Sequence, residues 1–248
     1  MLNIVIPMAG SGTRFACAGY RLPKPLIDVQ GAPMIRRVID NIRSSRPHRF
    51  IFVCQRAHDI EFGLREKLTA WAPGCEIVLL DATTAGAACT VLAAAALIDT
   101  SDSLMIANSD QYVDISIDKY LATTDSTACN GMIMTMPATD PKWSFAAIDR
   151  DGWVTRVAEK QPISPHATVG IYNFTEGTDF VAAARRMIAA QDRTRGEFYL
   201  APVYNHLLEA GARIAIHEIQ TAQMHGLGTP EDLQAFLAKG MLRQDTAA

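Results

Sequence analysis

The chain has 248 residues, 49% of them hydrophobic and 20% charged, with a net charge of −3. That supplies enough apolar residues for a sizeable core, and the lack of a basic excess argues against nucleic acid as a partner. The longest apolar run, Ala87 to Ile98, is too short to span a bilayer and contains Cys and Thr. No membrane partner is expected, and no basic segment precedes the first apolar run as in a signal peptide. Cysteines stand at 17, 54, 75, 89 and 129 without a CxxC pair. An odd set of reduced thiols in a cytoplasmic protein is the expectation.

Leu2 to Met8 predicts a buried strand: short, rich in β-branched residues and ended by glycine. Phe50 to Cys54, Glu76 to Leu80 and Leu104 to Ala107 predict three more. Helices are expected between them at Met34 to Ile42, Ile60 to Trp71 and Ala87 to Ile98. This alternation implies a parallel sheet with helices on both faces. After about residue 130 the rhythm changes. Gly131 to Met136, Phe145 to Asp149 and Trp153 to Val157 predict short strands, with a hairpin turn at Asp149-Arg150-Asp151-Gly152. Ala167 to Phe174 and Arg213 to Ile219 are further strands. Helices are expected at Asp179 to Gln191, Phe198 to Ala210 and Pro230 to Lys239. With no linker and no internal repeat, one domain is expected over residues 1–248.

Ligands of open α/β sheets sit beyond the carboxyl ends of the strands. The first strand runs into Met8-Ala9-Gly10-Ser11-Gly12-Thr13-Arg14-Phe15. Glycines let the backbone approach an anion, successive amides can cradle it, and Arg14 adds a forked donor. The dinucleotide pattern GxGxxG fails at Phe15, and the Walker GK[ST] is absent. By itself the loop also fits an ordinary tight turn. Further on, Leu22-Pro23-Lys24-Pro25-Leu26 holds one lysine between two prolines, a frame that fixes an ammonium group in place.

Together, "IPMAGSGTRF" and "LPKPLIDVQGAPMI" resemble the N-terminal signature of the sugar-1-phosphate nucleotidylyltransferases, the nucleotide-sugar pyrophosphorylases. The resemblance extends, more loosely, over nearly the whole chain. It implies a Rossmann-like α/β domain with a mixed, mainly parallel central sheet. It also implies a nucleotide-binding half up to about residue 130, an acceptor-binding half after it, and a homodimer. The chemistry it implies joins a nucleoside triphosphate to a phosphorylated acceptor and releases pyrophosphate. Residues Ala9, Gly10, Ser11, Gly12 and Thr13 would wrap the nucleotide. Arg14 would hold the outgoing pyrophosphate and Lys24 would neutralise charge at the α-phosphate. Gly86, before the alanine-rich helix, would lie against the base.

Asp110 follows the fourth strand, where a carboxylate suits Mg²⁺, a hard ion that takes oxygen ligands. In the family the matching aspartate is a metal ligand; Asp114 is a spare candidate. Glu159 and Lys160 match the family's E-K element, implying contacts to acceptor hydroxyls and acceptor phosphate. Gly170 would let the acceptor approach the backbone. Glu197 is read at the start of a helix, either as an acceptor ligand or as a first-turn acid favoured by the helix dipole. Trp143 is either acceptor wall or core.

One departure stands out. Where many relatives carry W-x-D-x-G-T, whose aspartate is a second metal ligand, this chain has Met224-His225-Gly226-Leu227-Gly228-Thr229. The carboxylate position is Gly226, and imidazole from His225 is a poor Mg²⁺ ligand. Either Asp110 holds the metal with phosphates and water, or a nearby acid substitutes, or the protein binds without catalysis. Other readings are a cytidylyltransferase for a non-sugar acceptor of a surface polymer, and a glycosyltransferase. The latter wants D-x-D where the chain offers Ser109-Asp110-Gln111. No HExxH, metal-spaced Cys/His cluster or GxSxG occurs.

Overall fold

Leu2, Ile4 and Ile6 lie on one face of the first strand, Asn3 and Val5 on the other, and all five are buried. A strand covered on both faces belongs inside a sheet. The computed structural model, described over residues 1–240, puts it there; residues 241–248 of the expected domain lie outside the described residues.

In chain order, β1 (Leu2–Pro7) and α1 (Thr13–Cys17) lead to a 3-10 turn at Lys24–Leu26 and the paired two-residue strands β2 (Asp28–Val29) and β3 (Ala32–Pro33). Next come α2 (Met34–Ile42), β4 (His48–Gln55), α3 (Arg56–Phe62), α4 (Leu64–Trp71) and β5 (Glu76–Leu80). Then follow α5 (Ala87–Leu92), α6 (Ala95–Ile98), β6 (Ser103–Ala107), β7 (Gln111–Val113) and α7 (Ile117–Ser126). The later part has β8 (Gly131–Pro137), β9 (Ser144–Ile148), β10 (Val154–Glu159), β11 (His166–Phe174) and α8 (Gly177–Ala189). It closes with α9 (Val203–Leu208), β12 (Ile214–Glu218), β13 (Met224–Gly226) and α10 (Pro230–Ala238).

Strands β5, β4, β1 and β6 are parallel neighbours. Beyond β6 lies antiparallel β11, then β8, with β12 parallel to β8. The hairpin β9–β10 branches from the start of β11. This is the expected mixed α/β sheet. Helices α2, α4 and α7 cover the face of Leu2, Ile4 and Ile6 with Val38, Ile39, Leu68, Tyr120 and Leu121. On the Val5 face, α5, α6, α8 and α9 pack Val91, Ile98, Phe180, Val181 and Tyr204. A smaller apolar cluster joins Phe15, Ile27, Met34, Leu227, Leu233 and Phe236, tying α1 to α10.

Several expected elements differ. The helix expected at Ile60 to Trp71 begins earlier and divides at Gly63, whose φ of 61° is left-handed and so ends α3. The Ala87 to Ile98 stretch is two short helices, α5 and α6. The helix expected from Phe198 to Ala210 is helical only at Val203–Leu208. Upstream, Phe198 spends its backbone elsewhere: its N–H donates to Ala85 O (2.9 Å) and its carbonyl accepts from Ala88 N (3.0 Å). Glu197 therefore does not open a helix. It closes a tight turn, exchanging both backbone hydrogen bonds with Thr194 at 3.0 Å. Helix α7, absent from the sequence expectation, is capped by the Ser116 hydroxyl, which accepts from Lys119 N. The five cysteines are all free, and burial pushes the Cys54 thiol up to about 12. Among the described residues no helix is long and apolar enough to cross a membrane.

Candidate active site

The loop after β1 begins with buried Met8 and Ala9 and then emerges at Gly10 and Ser11. Gln55, at the end of β4, braces it by donating from Nε2 to the carbonyls of Ala9 (2.9 Å) and Gly10 (3.1 Å). Gly12 turns the chain into α1 with a left-handed φ of 64° and packs against the Lys24 side chain. Ala9, Gly10, Ser11 and Gly12 line a cleft of about 420 Å³ together with Thr83 to Ala87 and Lys24. Thr13 is exposed and lines no part of it.

Lys24 sits in the 3-10 turn. Leu26 N donates to Pro23 O (2.8 Å), and Pro25 and Leu26 are buried. The proline frame is therefore a rigid support, and it presents the ammonium to Asp110 Oδ2 at 2.9 Å, with both side chains 24% exposed. Asp110 follows β6 as the sequence suggests, and its carbonyl accepts from Leu227 N (2.8 Å). Lys24 also borders a second, larger cleft of about 870 Å³. The two clefts share Pro7, Lys24, Ala87, Ser109 and Glu197, so they meet at the lysine.

The larger cleft collects Arg14, Asp110, Trp143, Glu159, Lys160, Gly170 and Glu197. Asp114 lies outside it, exposed and bonded through its backbone to Gln223. Glu159 ends β10, and Ser144 donates to its Oε2. Lys160 has a left-handed φ of 55°, rare for a residue with a Cβ. Its Nζ donates to the Tyr199 hydroxyl (2.8 Å) and lies 4.8 Å from that ring's centre. Lys142 is 4.9 Å from the Trp143 ring in the same way, and Trp143 both lines the cleft and packs against the core. Gly170 marks the irregular step in β11, with a φ of 83°; a Cβ there would run into the side chains of Gln111 and Asn108. Gly86 has a comparable reason: its φ is 142°, and a Cβ would collide with the Phe198 backbone. At both positions a protein neighbour already requires glycine.

Burial raises the Glu159 carboxyl above its ordinary 4.5, against the lowering pull of Ser144, Lys160 and Arg195. A raised carboxyl binds its proton more tightly in the folded chain. Its contribution to stability is therefore present at low pH and lost as pH climbs from about 4.5 through the folded value. Glu159→Gln has no charge to desolvate and is expected to melt above the wild type at pH 7, with the gap narrowing below pH 4.5. Calorimetry at both pH values checks this; an equal melting temperature at pH 7 contradicts it.

Other lining residues were not singled out from the sequence. Asn108 and Gln111 flank the Ser109-Asp110 step and were readable as strand-end residues. Thr168 Oγ1 lies 3.0 Å from the Tyr172 hydroxyl, and with Ser144 these buried groups make a polar floor. Arg195 stands in the Thr194–Glu197 turn with a left-handed φ of 50°. Tyr199 holds Lys160, and Asp232 comes from the first turn of α10. His225 is buried between Tyr112 and Phe236, and that burial lowers its pKa; it lies outside the cleft. Among the described residues no group of three His, Cys, Asp or Glu side chains gathers as a metal cluster.

The solved nucleoside-diphosphate-sugar pyrophosphorylase of Vibrio cholerae RC9 superposes with a TM-score of 0.80 at 29% identity, covering 95% of this chain and 99% of that one. A UDP-glucose pyrophosphorylase of Acinetobacter baumannii has a TM-score of 0.75 at 17% identity over 99% and 95% of the two chains; this likeness is one of fold. Bifunctional protein GlmU of Burkholderia mallei is 29% identical over 220 residues, 86% of this chain and 46% of that protein. The chain thus spans about half the length of the curated relatives it matches. The family pattern described as nucleotidyl transferase matches residues 4–224, a stretch that contains Arg14, Lys24, Asp110, Glu159, Lys160 and Glu197. The chain belongs to the nucleotidyl transferase family.

Proposed function

We propose that the protein joins a nucleoside triphosphate to a sugar 1-phosphate, forming a nucleoside-diphosphate sugar and releasing pyrophosphate. The observation that carries this reading is the meeting of two clefts at a single fixed ammonium, Lys24. The smaller cleft, walled by the glycine loop and Thr83 to Ala87, takes the nucleotide. The larger takes the acceptor, and most of its wall comes from the chain after about residue 130. That division is crossed both ways: Pro7, Arg14, Lys24, Ala87 and Asn108 to Gln111 line the larger cleft, and Gly196 and Glu197 the smaller.

An acceptor phosphate is mostly ionised at neutral pH, since its second pKa is about 6. No general base is needed. One of its oxygens attacks the α-phosphorus, a new O–P bond forms, and the bond to the β-phosphate oxygen breaks with its electron pair on pyrophosphate. Bringing two polyanions together is the main obstacle, so positioning and cations carry the catalysis. Lys24 faces the α-phosphate, Arg14 the departing pyrophosphate, and Lys160 with Arg195 the acceptor phosphate. Asp110 is a hard oxygen donor at the junction, in keeping with Mg²⁺, which when bound offsets charge on the phosphate oxygens. The buried hydroxyls of Ser144, Thr168 and Tyr172 beside Glu159 favour a polyhydroxylated acceptor. A quaternary ammonium acceptor would have to displace Lys142 and Lys160 from the aromatic rings they already cover.

The test incubates the protein with each common nucleoside triphosphate, Mg²⁺ and a panel of sugar 1-phosphates and non-sugar phosphates. Pyrophosphate release that depends on a sugar 1-phosphate supports the reading. Release only with a non-sugar acceptor, or nucleotide binding without turnover, overturns it.

A further inference from the structure

Leu227 is fully buried in the small cluster with Phe15 and Phe236, while its neighbours Gly226 and Gly228 line the larger cleft. Both glycines face carboxylates. A Cβ at Gly228 would sit 2.6 Å from Asp110 Oδ2, so a side chain there would push that carboxylate away. A Cβ at Gly226 would meet Asp232 Oδ2 at 3.5 Å, an ordinary contact, so a Cβ fits there beside that carboxylate. Asp110 and Asp232 thus reach the same short strip of backbone from two sides, one from the end of β6 and one from α10.

Asp232 is held in place by its own turn. Its N–H donates to the Thr229 hydroxyl (3.1 Å), the cap of α10. Its charged neighbour Lys142 is 3.9 Å away and half exposed, a pairing of little energy. Its carboxylate accepts no hydrogen bond among the described residues. The wall beside it shows a second unmet need. Gln111 is 2% exposed, pairs in register with Gly226 and lines the same cleft, and its Nε2 has no partner among the described residues. A buried donor without a partner calls for an acceptor, such as a water or phosphate oxygen around a bound ion.

We propose that Asp232 is the second protein carboxylate for the divalent cation, doing from α10 what residue 226 cannot do as glycine. The inference rests on the nucleotidyltransferase reading for the presence of a cation. Its chemistry is that of a hard ion, which takes one or two protein carboxylates and fills its remaining positions with water and phosphate oxygens. With Asp110 already opposed by Lys24, a second carboxylate restores the negative charge such an ion needs.

The experiment titrates the intact protein with Mn²⁺ alone and follows free Mn²⁺ by electron paramagnetic resonance. The wild type is expected to bind one ion. Asp232→Asn and Asp110→Asn should each weaken binding about tenfold or more. Gly226→Asp added to Asp232→Asn should recover most of the loss, because position 226 has room for a Cβ beside residue 232. That double variant guards against a merely misfolded single one, and melting curves are recorded for all. Binding by Asp232→Asn within about twofold of wild type, or no ion bound by the wild type, overturns the proposal. Pyrophosphate release is measured separately on the same samples. A wild type that binds Mn²⁺ through Asp232 yet releases none defeats the proposed function and leaves the site standing.

Discussion

Replacing Lys24 by alanine is expected to lower kcat/KM at least tenfold, a loss of about 1.4 kcal/mol of transition-state stabilisation. Three features converge on this residue. It borders both clefts, its turn is fixed by Pro23 and Pro25, and its Nζ is held at 2.9 Å from Asp110. On the proposed reading a cation so placed lies where the two polyanions approach, and its loss leaves a half-buried carboxylate facing them. The loss should therefore appear in kcat as well as in KM. Steady-state pyrophosphate release with both substrates varied measures it; a Lys24→Ala enzyme with wild-type kcat/KM would remove the lysine from the reaction.

A large effect on stability is expected at Gly86. An alanine there must adopt a φ of 142° and push its Cβ into the backbone of Phe198, which has no flexible end to yield. It would also disturb the hydrogen bonds from Phe198 N to Ala85 O and from Ala88 N to Phe198 O. Strain and overpacking together make a loss of about 3 kcal/mol reasonable. For a chain of this size that lowers Tm by roughly 6 to 12 °C. Gly10→Ala is the control: no atom lies within 4 Å of its missing Cβ, and its φ is not left-handed. Its stability should stay within about 0.5 kcal/mol of wild type. Differential scanning calorimetry on both variants decides the matter, and an unshifted Gly86→Ala transition would refute the packing account.

Much of the fold was legible because it is written locally. The strands β1, β4, β5 and β6 are short apolar runs ended by polar or glycine residues, and α2 carries Ile35, Val38, Ile39 and Ile42 at helical spacing. Helix α7 carries the same signal, in Ile117, Tyr120 and Leu121 behind the Ser116 cap, but more faintly, among Thr and Asp residues. The pairing of β7 with β13 could not be read, since three-residue strands lack a period and these lie more than a hundred residues apart. The shortened α9 failed for a different reason. Phe198 to Ala201 looks helical in composition, but its backbone is claimed by Ala85 and Ala88. In the site, the residues that follow strands were visible from position alone, as Asp110 and the glycine loop were. Arg195 and Tyr199 depend on a tight turn whose geometry only the packed chain defines. Asp232 needed the empty side-chain positions of Gly226 and Gly228 to give it a context.

The backbone stitching between Ala85, Ala88 and Phe198 joins stretches more than a hundred residues apart into one latch. The next residue, Tyr199, grips the ammonium of Lys160 in the lining of the larger cleft. One wall of the smaller cleft and a lysine that borders the larger are thus moored to neighbouring residues of one backbone.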